Sequence, residues 1–198
     1  MMTSIEMARH MTIANNVILS RDGIHALASL LVCKKCKKGE RILQEGEVCT
    51  CMRYVEKGML RQFYYKYDKE LTEHLAYEGG VVICLESYLK NEPTRLMIEA
   101  LEPTTYWEIS KEGIEELSSV RADVGVWYRK IFESSLIESQ VKADTLRFEP
   151  AHERYNRLLK LHPEILKRVP LVYIASLLQM TPETLSRVRS ASLNEQRG

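Results

Sequence analysis

The sequence predicts an α+β protein with a β-rich body, one long helix and a C-terminal pair of short helices. Three observations support this prediction. Short strand-like runs punctuated by glycines extend from about Val32 to Ser110. From about Ser119 to Phe148 the hydrophobic residues recur with a helical period, without proline and with a single glycine. Two further apolar-periodic runs flank the stretch Gln-Met-Thr-Pro near the end of the chain.

The composition of the 198-residue chain is that of a soluble globular protein, with 45% hydrophobic and 28% charged residues. No apolar run approaches the ~20 residues that a membrane span needs. The N-terminal segment "MMTSIEMARHMTIANNVILS" has neither an uninterrupted apolar core nor a small-residue cleavage site, so no signal peptide is predicted. We therefore expect a cytoplasmic protein that does not bind membranes.

Charge is unevenly distributed along the chain, although the net charge is only +1. The segment from Ala151 to Gly198 contains eight lysines and arginines but only four acidic residues. A basic C-terminal segment on an acidic body indicates a polyanionic partner for that segment.

The strand-like runs of the β segment are short and regularly spaced. "CMRYVEKG" is followed by "MLRQFYYKY", and Gly58 occupies the position of a hairpin turn. This spacing is typical of a barrel or sandwich and not of a parallel sheet. Tyr64, Tyr65 and Tyr67 could line an aromatic ligand pocket, but packing across a sheet is the favoured interpretation.

The long helix carries two neighbouring apolar stripes. One comprises Val120, Val124, Trp127 and Ile131, and the other comprises Tyr128, Phe132 and Leu136. Two stripes need two surfaces, so we expect one to pack on the β body and the other on a second copy of the same helix. We assign Val124, Trp127 and Ile131 to this dimer helix. The alternative is a single buried helix in a monomer.

The terminal helix pair is predicted from its punctuation. Thr181 is a good N-cap and Pro182 a favourable first helical residue, so the second helix begins about three residues after the first one ends. This is the turn length of a helix-turn-helix. Ala175 supplies a small side chain where the two axes approach closely. Gln179 stands where glycine is often found, and it must accept a less favourable backbone conformation.

The outward face of the second helix is polar. It comprises Glu183, Ser186, Arg187 and Ser190, with Arg189 on its flank. Such side chains can read a major groove: Glu183 could accept a hydrogen bond from a cytosine amino group, and Arg187 could bind guanine. An exposed i, i+4 ion pair between these two residues is the alternative. Thr184 and Arg189 suit phosphate contacts.

The order of these parts resembles the Crp/Fnr family of bacterial transcription regulators, over nearly the whole chain. "IASLLQMTPETLSRVR" and the preceding "ERY" are similar to the family's recognition motif, and "KKGERILQEGE" and "YVEKGMLRQFY" to its β-roll signature. The resemblance implies a double-stranded β-helix (β-roll or jelly roll) sensor domain with N-terminal helices in residues 1–118. It further implies a dimerisation helix in residues 119–148 and a helix-turn-helix domain in residues 149–198.

The function implied is that of a homodimeric, sequence-specific DNA-binding transcription regulator. Its partners would be double-stranded DNA, a second copy of the chain and RNA polymerase. The expected DNA-binding residues are Thr181, Glu183, Thr184, Ser186, Arg187, Arg189 and Ser190. Two alternatives remain open, namely a β-roll ligand-binding or protein-interaction module without DNA binding, and a cysteine-based redox or metal sensor.

The effector is not expected to be cyclic AMP. Relatives that bind it carry a Gly-Glu pair followed by an arginine and a small residue, whereas this segment reads "VVICLESYLKNEPTRLMIEA". Arg95 matches the arginine, but the Gly-Glu pair is missing and Leu96 replaces the small residue. Arg95, Glu86 and Tyr64 are the candidate pocket residues for an unknown small-molecule effector, and no cofactor is expected.

Cysteine spacing and histidine placement argue against metal binding and enzymatic catalysis. The odd number of cysteines and the missing secretory signal disfavour a disulfide framework. Cys33 and Cys36, or Cys49 and Cys51, could be metal-ligand pairs, but strand residues three apart face opposite sides. Only His74 lies in the β segment, and no Ser-His-Asp order is present. We therefore predict no metal site and no enzyme, and leave a redox role of these cysteines open.

Overall fold

The computed structural model describes the backbone of residues 2–195 and the side chains of residues 2–192. Its α+β architecture confirms the predicted fold class, including the β-roll, the long helix and the C-terminal helices. The helices are α1 (Ser4–Ala14), α2 (Arg21–Ser29), α3 (Leu85–Lys90), α4 (Lys111–Val120), α5 (Ala122–Phe148), α6 (Ala151–Leu161), α7 (Ile165–Arg168), α8 (Leu171–Leu177) and α9 (Pro182–Glu195). The strands are β1 (Val32–Cys36), β2 (Arg41–Leu43), β3 (Cys51–Lys57), β4 (Met59–Lys66), β5 (Lys69–Tyr77), β6 (Val81–Val82), β7 (Met97–Ala100) and β8 (Thr104–Ser110).

The strands form two four-stranded sheets, in the orders β1-β8-β3-β6 and β2-β7-β4-β5. Antiparallel pairing joins β8 to both β1 and β3, and β7 to both β2 and β4. Consecutive strands therefore alternate between sheets over much of the chain. This alternation is the β-roll topology.

The hydrophobic core lies between the sheets and extends under the helices. Met52 and Ile109 come from one sheet, and Leu60 and Ile98 from the other; all are nearly or fully buried. Trp127 of α5 is also fully buried in this cluster, and its indole N–H donates to the backbone of α1. Burying such side chains contributes about 1.5–3 kcal/mol each, so the sheets and helices stabilise one another.

Gly58 does not form the hairpin turn that the sequence predicted. It connects β3 to β4, and these strands lie in different sheets. Its φ of 103° lies in the left-handed region, and a Cβ there would come within 2.7 Å of the Thr104 Cα. Glycine is required at this crossing because both the backbone conformation and the close approach exclude a side chain.

The predicted long helix begins later than the sequence suggested. α4 ends at Val120, Arg121 has an extended backbone (φ −130°, ψ 102°), and α5 starts at Ala122. Val120 therefore belongs to α4, where its side chain is exposed. The apolar period continues across the break, which is why the two helices could not be separated from the pattern alone.

The chain divides into two compact units. One contains the residues up to Tyr64 together with His74–Ser135, and the other contains Tyr65–Glu73 together with the chain from Leu136 onward. Within residues 2–195, no helix is both long enough and apolar enough to cross a bilayer.

Candidate nucleic-acid interface and effector pocket

The turn after α8 is a Schellman motif. The N–H of Met180 donates to the carbonyl of Ala175 at 2.9 Å, and the N–H of Gln179 donates to Ser176 at 3.0 Å. Gln179 has a φ of 49°, in the left-handed region that favours glycine. The less favourable conformation predicted for this residue is thus confirmed. The motif satisfies the last carbonyl groups of α8 and reverses the chain toward α9.

Thr181 caps the second helix, as the sequence predicted. Its hydroxyl oxygen accepts a hydrogen bond from the N–H of Thr184 at 3.2 Å. Pro182 follows as the first residue of α9. A side-chain acceptor at this position satisfies one of the unpaired N–H groups at the helix start, so the first turn of α9 is fixed where base-reading side chains would project.

The two faces of α9 differ as expected for a recognition helix. Leu185 is buried on the inward side, and Thr184 and Val188 are half-buried. The exposed residues on this part of the helix are Thr181, Pro182, Glu183, Ser186, Arg187, Arg189 and Ser190. Six of the seven predicted DNA-binding side chains are therefore exposed in the protomer, and the seventh, Thr184, is partly exposed.

The inward face of α9 is held by α6 and α8. The Ser192 hydroxyl donates to Asn156 Oδ1 of α6 at 2.6 Å. Tyr155 and Leu158 of α6 and Ile174 of α8 are buried in the same unit. The side chains on the outward face of α9 remain exposed.

The charge of Glu183 is stabilised locally. A hydrogen bond from the Thr181 side chain, followed by one from its own backbone, holds the pKa of Glu183 below its ordinary value. Arg187 adds a smaller electrostatic contribution. Glu183 therefore carries a negative charge at neutral pH and can act only as a hydrogen-bond acceptor there.

A strand tip lies against the first helix of the pair. The Ser176 hydroxyl of α8 accepts a hydrogen bond from the Thr72 N–H at 2.8 Å and donates to the carbonyl of Glu70 at 3.5 Å. The Lys142 ammonium of α5 donates to the Glu73 carbonyl at 2.6 Å and also pairs with its carboxylate. The start of β5 is thus part of the C-terminal unit, a contact that the sequence did not reveal.

The three predicted effector residues lie near one another on the surface of the β-roll. The Arg95 guanidinium lies over the Tyr64 ring, 5.0 Å from its centroid. Glu86 forms an exposed ion pair with Lys90 at 2.8 Å, and this lysine is the main reason why the pKa of Glu86 is lowered. Arg95 contributes the smallest part of that lowering. The charges of this region are therefore partly satisfied by side chains of the protein itself.

A buried polar cluster lies beneath this surface, and sequence reasoning missed it. Gln62 Nε2 donates to Cys84 Sγ at 3.1 Å and to the Ile83 carbonyl at 3.3 Å. The Cys49 N–H donates to the hydroxyl of Ser87, three residues after Cys84, at 2.9 Å. Arg53 Nη1 lies 4.0 Å from Cys49 Sγ. These residues come from distant parts of the chain, so only the folded β-roll brings them together.

The cysteines of the first pair considered from spacing, Cys33 and Cys36, both lie on β1. Cys33 is half-buried and Cys36 is buried, and their strand partners on β8 are Trp107 and Thr104. Burial raises the pKa of both thiols, that of Cys36 to about 11. Among residues 2–195, no group of three or more His, Cys, Asp or Glu side chains is arranged to hold a metal ion.

Val124, Trp127 and Ile131, which the sequence assigned to the dimer helix, belong to the stripe that packs on the body of the protomer. All three lie on α5, but their side chains are buried in the core of their own protomer. They face the β-roll and the N-terminal helices, so a second copy cannot contact them. Apart from Val126, the exposed large apolar residues of α5 lie further along the helix, from Leu136 to Phe148.

Comparison with known proteins agrees with this architecture. Residues 33–120 match the family model of the cyclic nucleotide-binding domain. FixK2 from Bradyrhizobium japonicum has a similar structure, with a TM-score of 0.68 and 20% identity, over 84% of this chain and 86% of that chain. The Thermus thermophilus catabolite activator protein matches with a TM-score of 0.57 and 21% identity, over 92% of this chain and 88% of that chain.

A third similar structure comes from a Eubacterium rectale protein assigned to the Crp/Fnr family of transcriptional regulators. Its TM-score is 0.66 at 18% identity, over 89% of this chain and 85% of that chain. No curated protein sequence matches the chain. Residues 33–120 are therefore similar to cyclic nucleotide-binding domains. The fold of the chain as a whole is that of the Crp/Fnr regulators, which confirms the resemblance at the level of architecture.

Proposed function

We propose that the protein is a homodimeric, sequence-specific DNA-binding transcription regulator of the Crp/Fnr type. The observation that carries the proposal is the exposed polar face of α9, which is capped at Thr181 and supported from behind by α6 and α8. Its side chains include the bidentate donor and the acceptor types that read base edges in a major groove. The excess of basic residues after Ala151 favours a polyanionic partner for the same segment.

Dimerisation would place two such helices on one duplex. Five large apolar side chains on α5 are exposed in the protomer, and four of them lie in its second half, namely Leu136 (69%), Ile137 (60%), Val141 (49%) and Phe148 (72%). Exposed apolar residues concentrated on one helix indicate a protein–protein interface. A second copy of α5 is the occupant that the proposed function requires, because two recognition helices then reach half-sites about 34–36 Å apart.

Cyclic AMP is not the proposed effector. A cyclic phosphate needs closely approaching backbone N–H groups and a charged partner, and at this position the chain has Cys84, Leu85 and Glu86 instead of a glycine. The Cys84 sulfur accepts its hydrogen bond from Gln62, so the interior polar groups are directed at each other. We expect no binding of cyclic AMP by isothermal titration calorimetry at millimolar concentration.

Selection from a random duplex library, followed by salt titration on the selected site, tests the proposed function. A dimer that contacts about six to ten phosphates is expected to lose about 10³–10⁵ in affinity between 50 and 200 mM salt. One preferred, two-fold symmetric sequence should emerge. Weak binding without a preferred sequence would instead favour a ligand-binding or protein-interaction module.

Matched charge-removing variants identify the binding surface. Arg187→Ala should weaken binding to the preferred site and relax selectivity at one base pair per half-site. Arg21→Ala removes the same charge from an exposed position on α2 and should leave the affinity unchanged. Equal effects of the two substitutions would show that net charge, and not α9, determines binding.

A further inference from the structure

Arg154 links two backbone carbonyl groups of the C-terminal unit. Its Nη1 donates a hydrogen bond to the carbonyl of Glu149 at 2.9 Å, and its Nη2 donates to the carbonyl of Gln179 at 3.4 Å. Glu149 lies between α5 and α6, and Gln179 lies in the Schellman turn after α8. The guanidinium of this one residue therefore joins the α5–α6 junction to the turn that precedes α9.

We propose that Arg154 is a positioning residue for the recognition helix: it clamps the turn before α9 to the α5–α6 junction and thereby fixes the direction of α9. The inference rests on the proposed function only where it concerns base reading, because the clamp itself can be tested without DNA. Arg154 is not among the residues that the sequence assigned to DNA contacts, since its role depends on a carbonyl group in a distant turn.

The chemistry of the side chain suits this role. An arginine presents its N–H groups in a planar fork, so Nη1 and Nη2 can donate to acceptors on two different segments at the same time. A lysine ammonium is a single point charge at the end of a flexible stem. An arginine can therefore hold two carbonyl groups at a fixed separation, whereas a lysine cannot.

Stability alone does not explain the arginine. Its Nε is buried, and no hydrogen-bond partner for this atom lies among the described residues. A buried N–H group without a partner lowers the free energy of unfolding, and an apolar side chain would avoid that loss. The two carbonyl contacts are what an apolar side chain could not supply, so the geometry that they impose is the better explanation for Arg154.

The turn before α9 requires support. Gln179 has a φ of 49°, a left-handed conformation that is unfavourable for a residue other than glycine. Its N–H donates to the carbonyl of Ser176 at 3.0 Å, and its own carbonyl accepts the hydrogen bond from Arg154. Thr181, two residues later, caps α9. A rotation of the backbone at Gln179 would therefore move the first turn of α9, and the Arg154 contact opposes that rotation.

A second polar contact holds the other end of α9. The Ser192 hydroxyl donates to Asn156 Oδ1 on α6 at 2.6 Å. Arg154 also lies on α6, so this helix binds α9 directly near its end and holds its start through the turn. Loss of the Arg154 contacts removes the polar attachment at the start of α9 and leaves the one near its end. The direction of α9 should then vary while its far end stays attached.

Arg157 supplies a matched control on the same helix. It lies three residues after Arg154 and forms an ion pair with the carboxylate of Glu149, to which its Nε donates at 3.1 Å. Within the described part of the chain, its side chain makes no hydrogen bond to the turn before α9. Arg157→Ala therefore removes a positive charge beside the α5–α6 junction but leaves the turn attached.

Hydrogen–deuterium exchange of the purified full chain tests the clamp without DNA. In Arg154→Ala, the amides of Gln179 and Met180 should exchange about tenfold faster than in the wild type, because the turn has lost a hydrogen bond from a charged donor. Arg154→Lys should show a similar increase, since lysine keeps the charge but lacks the fork. Arg157→Ala should leave the exchange of both amides unchanged.

The amide of Val169 reports on unfolding of the whole C-terminal unit, because it donates to the Ile165 carbonyl at 2.9 Å away from the turn. Its exchange should not change in Arg154→Ala. An increase of the same size at Val169, unchanged exchange at the turn, or an equal increase at the turn in Arg157→Ala would each overturn the proposal.

A measurement on the wild-type chain does not depend on the folding of any variant. Because separate carbonyl groups hold Nη1 and Nη2 of Arg154, rotation about the bonds from Cζ to these nitrogens should be slow. The two nitrogens should therefore give separate signals in nitrogen-15 NMR spectra, whereas those of the exposed Arg21 should give one averaged signal. An averaged signal from Arg154 would contradict the clamp.

Base reading is measured separately, by fluorescence anisotropy with the preferred and a scrambled duplex. Arg154→Lys should lower the ratio of the two affinities by about tenfold, because a displaced α9 loses base contacts while the charge is unchanged. An equal loss of affinity for both duplexes would exclude a role of Arg154 in positioning. If the wild type has no preferred sequence, the proposed function fails, and the exchange experiment still decides whether Arg154 clamps the turn.

Discussion

The hydroxyl groups of Tyr88 on α3 and Tyr128 on α5 lie 3.1 Å apart and form a hydrogen bond. Tyr88 is fully buried and Tyr128 is partly exposed. The rings of Tyr128 and Phe132 also meet edge to face, with centroids 4.9 Å apart. Burial is the largest cause of the raised pKa of both tyrosines, so both stay neutral and can exchange donor and acceptor roles.

Removing the Tyr128 hydroxyl should be more damaging than removing that of Tyr88. Tyr128→Phe leaves the Tyr88 hydroxyl buried without this partner and should lower the free energy of unfolding by about 1–3 kcal/mol. Tyr88→Phe leaves the more exposed hydroxyl, which water can reach, and should cost about 0.5–1.5 kcal/mol. Urea unfolding measures both, and the double variant should cost less than the sum. Strict additivity would mean that the two hydroxyls do not interact.

Arg187 and Arg189 should have different effects on DNA binding. Arg187→Ala should cost about 1–3 kcal/mol for the preferred site and relax selectivity at one base pair per half-site. Arg189→Ala should weaken binding to all sequences and reduce the salt slope by about one per half-site. Fluorescence anisotropy with preferred and scrambled duplexes measures both effects. If Arg187→Ala lowered the affinity for both duplexes equally, Arg187 would not be a base-reading residue.

Ile137→Glu should convert the dimer into a monomer. The side chain is 60% exposed in the protomer, and two buried carboxylates facing each other would repel in an apolar interface. Ser139→Glu adds the same charge at an exposed position on another face of α5 and should leave the dimer intact. Light scattering after size exclusion gives the mass of each. A dimer that survives Ile137→Glu would locate the interface elsewhere.

Asp123 should make stability depend on pH in the acid range. Its carboxylate accepts hydrogen bonds from the hydroxyl of Ser20 at 2.7 Å and from the Ser20 N–H at 3.2 Å. The hydroxyl bond is the largest cause of its lowered pKa. A carboxylate with a lower pKa in the folded state stabilises above its unfolded pKa of about 3.9, and this contribution is lost as pH falls through the folded value.

Asp123→Asn should therefore destabilise the protein by about 1 kcal/mol at pH 6 to 7, and this difference should shrink as the pH falls below about 3.9. Ser20→Ala removes the donor and should abolish most of the same pH dependence. Thermal unfolding between pH 2.5 and 7 measures the difference. A constant difference across that range would show that ionisation of Asp123 is irrelevant to stability.

Gln179→Gly should stabilise the helix pair. Gln179 has a φ of 49° at the position that favours glycine, so the substitution should raise the free energy of unfolding by about 0.5–1 kcal/mol. The same substitution at Gln140, inside α5, should lower it by about 1 kcal/mol because glycine disfavours a helix interior. If Gln179→Gly does not stabilise the protein, the left-handed conformation of Gln179 is not strained.

Local patterns predicted much of the fold and the faces of α9. The first strand starts at Val32 and the last ends at Ser110, as the strand-like runs indicated. The helix start at Pro182 and its cap at Thr181 were also correct. These features depend on residues that are close to each other in the sequence, so they can be predicted from local sequence patterns.

Contacts between distant segments could not be read in the same way. β3 pairs with β8, about fifty residues further along, and not with the adjacent β4. The buried stripe of α5 was visible, but the pattern could not distinguish burial against the same protomer from burial against a second one. The hydrogen bond from the Cys49 N–H to the Ser87 hydroxyl of α3 likewise depends on how the sheets and helices close.

The residues Tyr65–Glu73 belong to the same compact unit as the C-terminal helices, so that unit is assembled from two separate stretches of the chain. A fragment that starts at Leu136 would lack the backbone groups of Glu70 and Thr72 that bind the Ser176 hydroxyl. Truncation of the gene at Leu136 would therefore yield an incomplete C-terminal unit. A fragment designed to contain the whole C-terminal unit would have to include the segment Tyr65–Glu73 around Asp68.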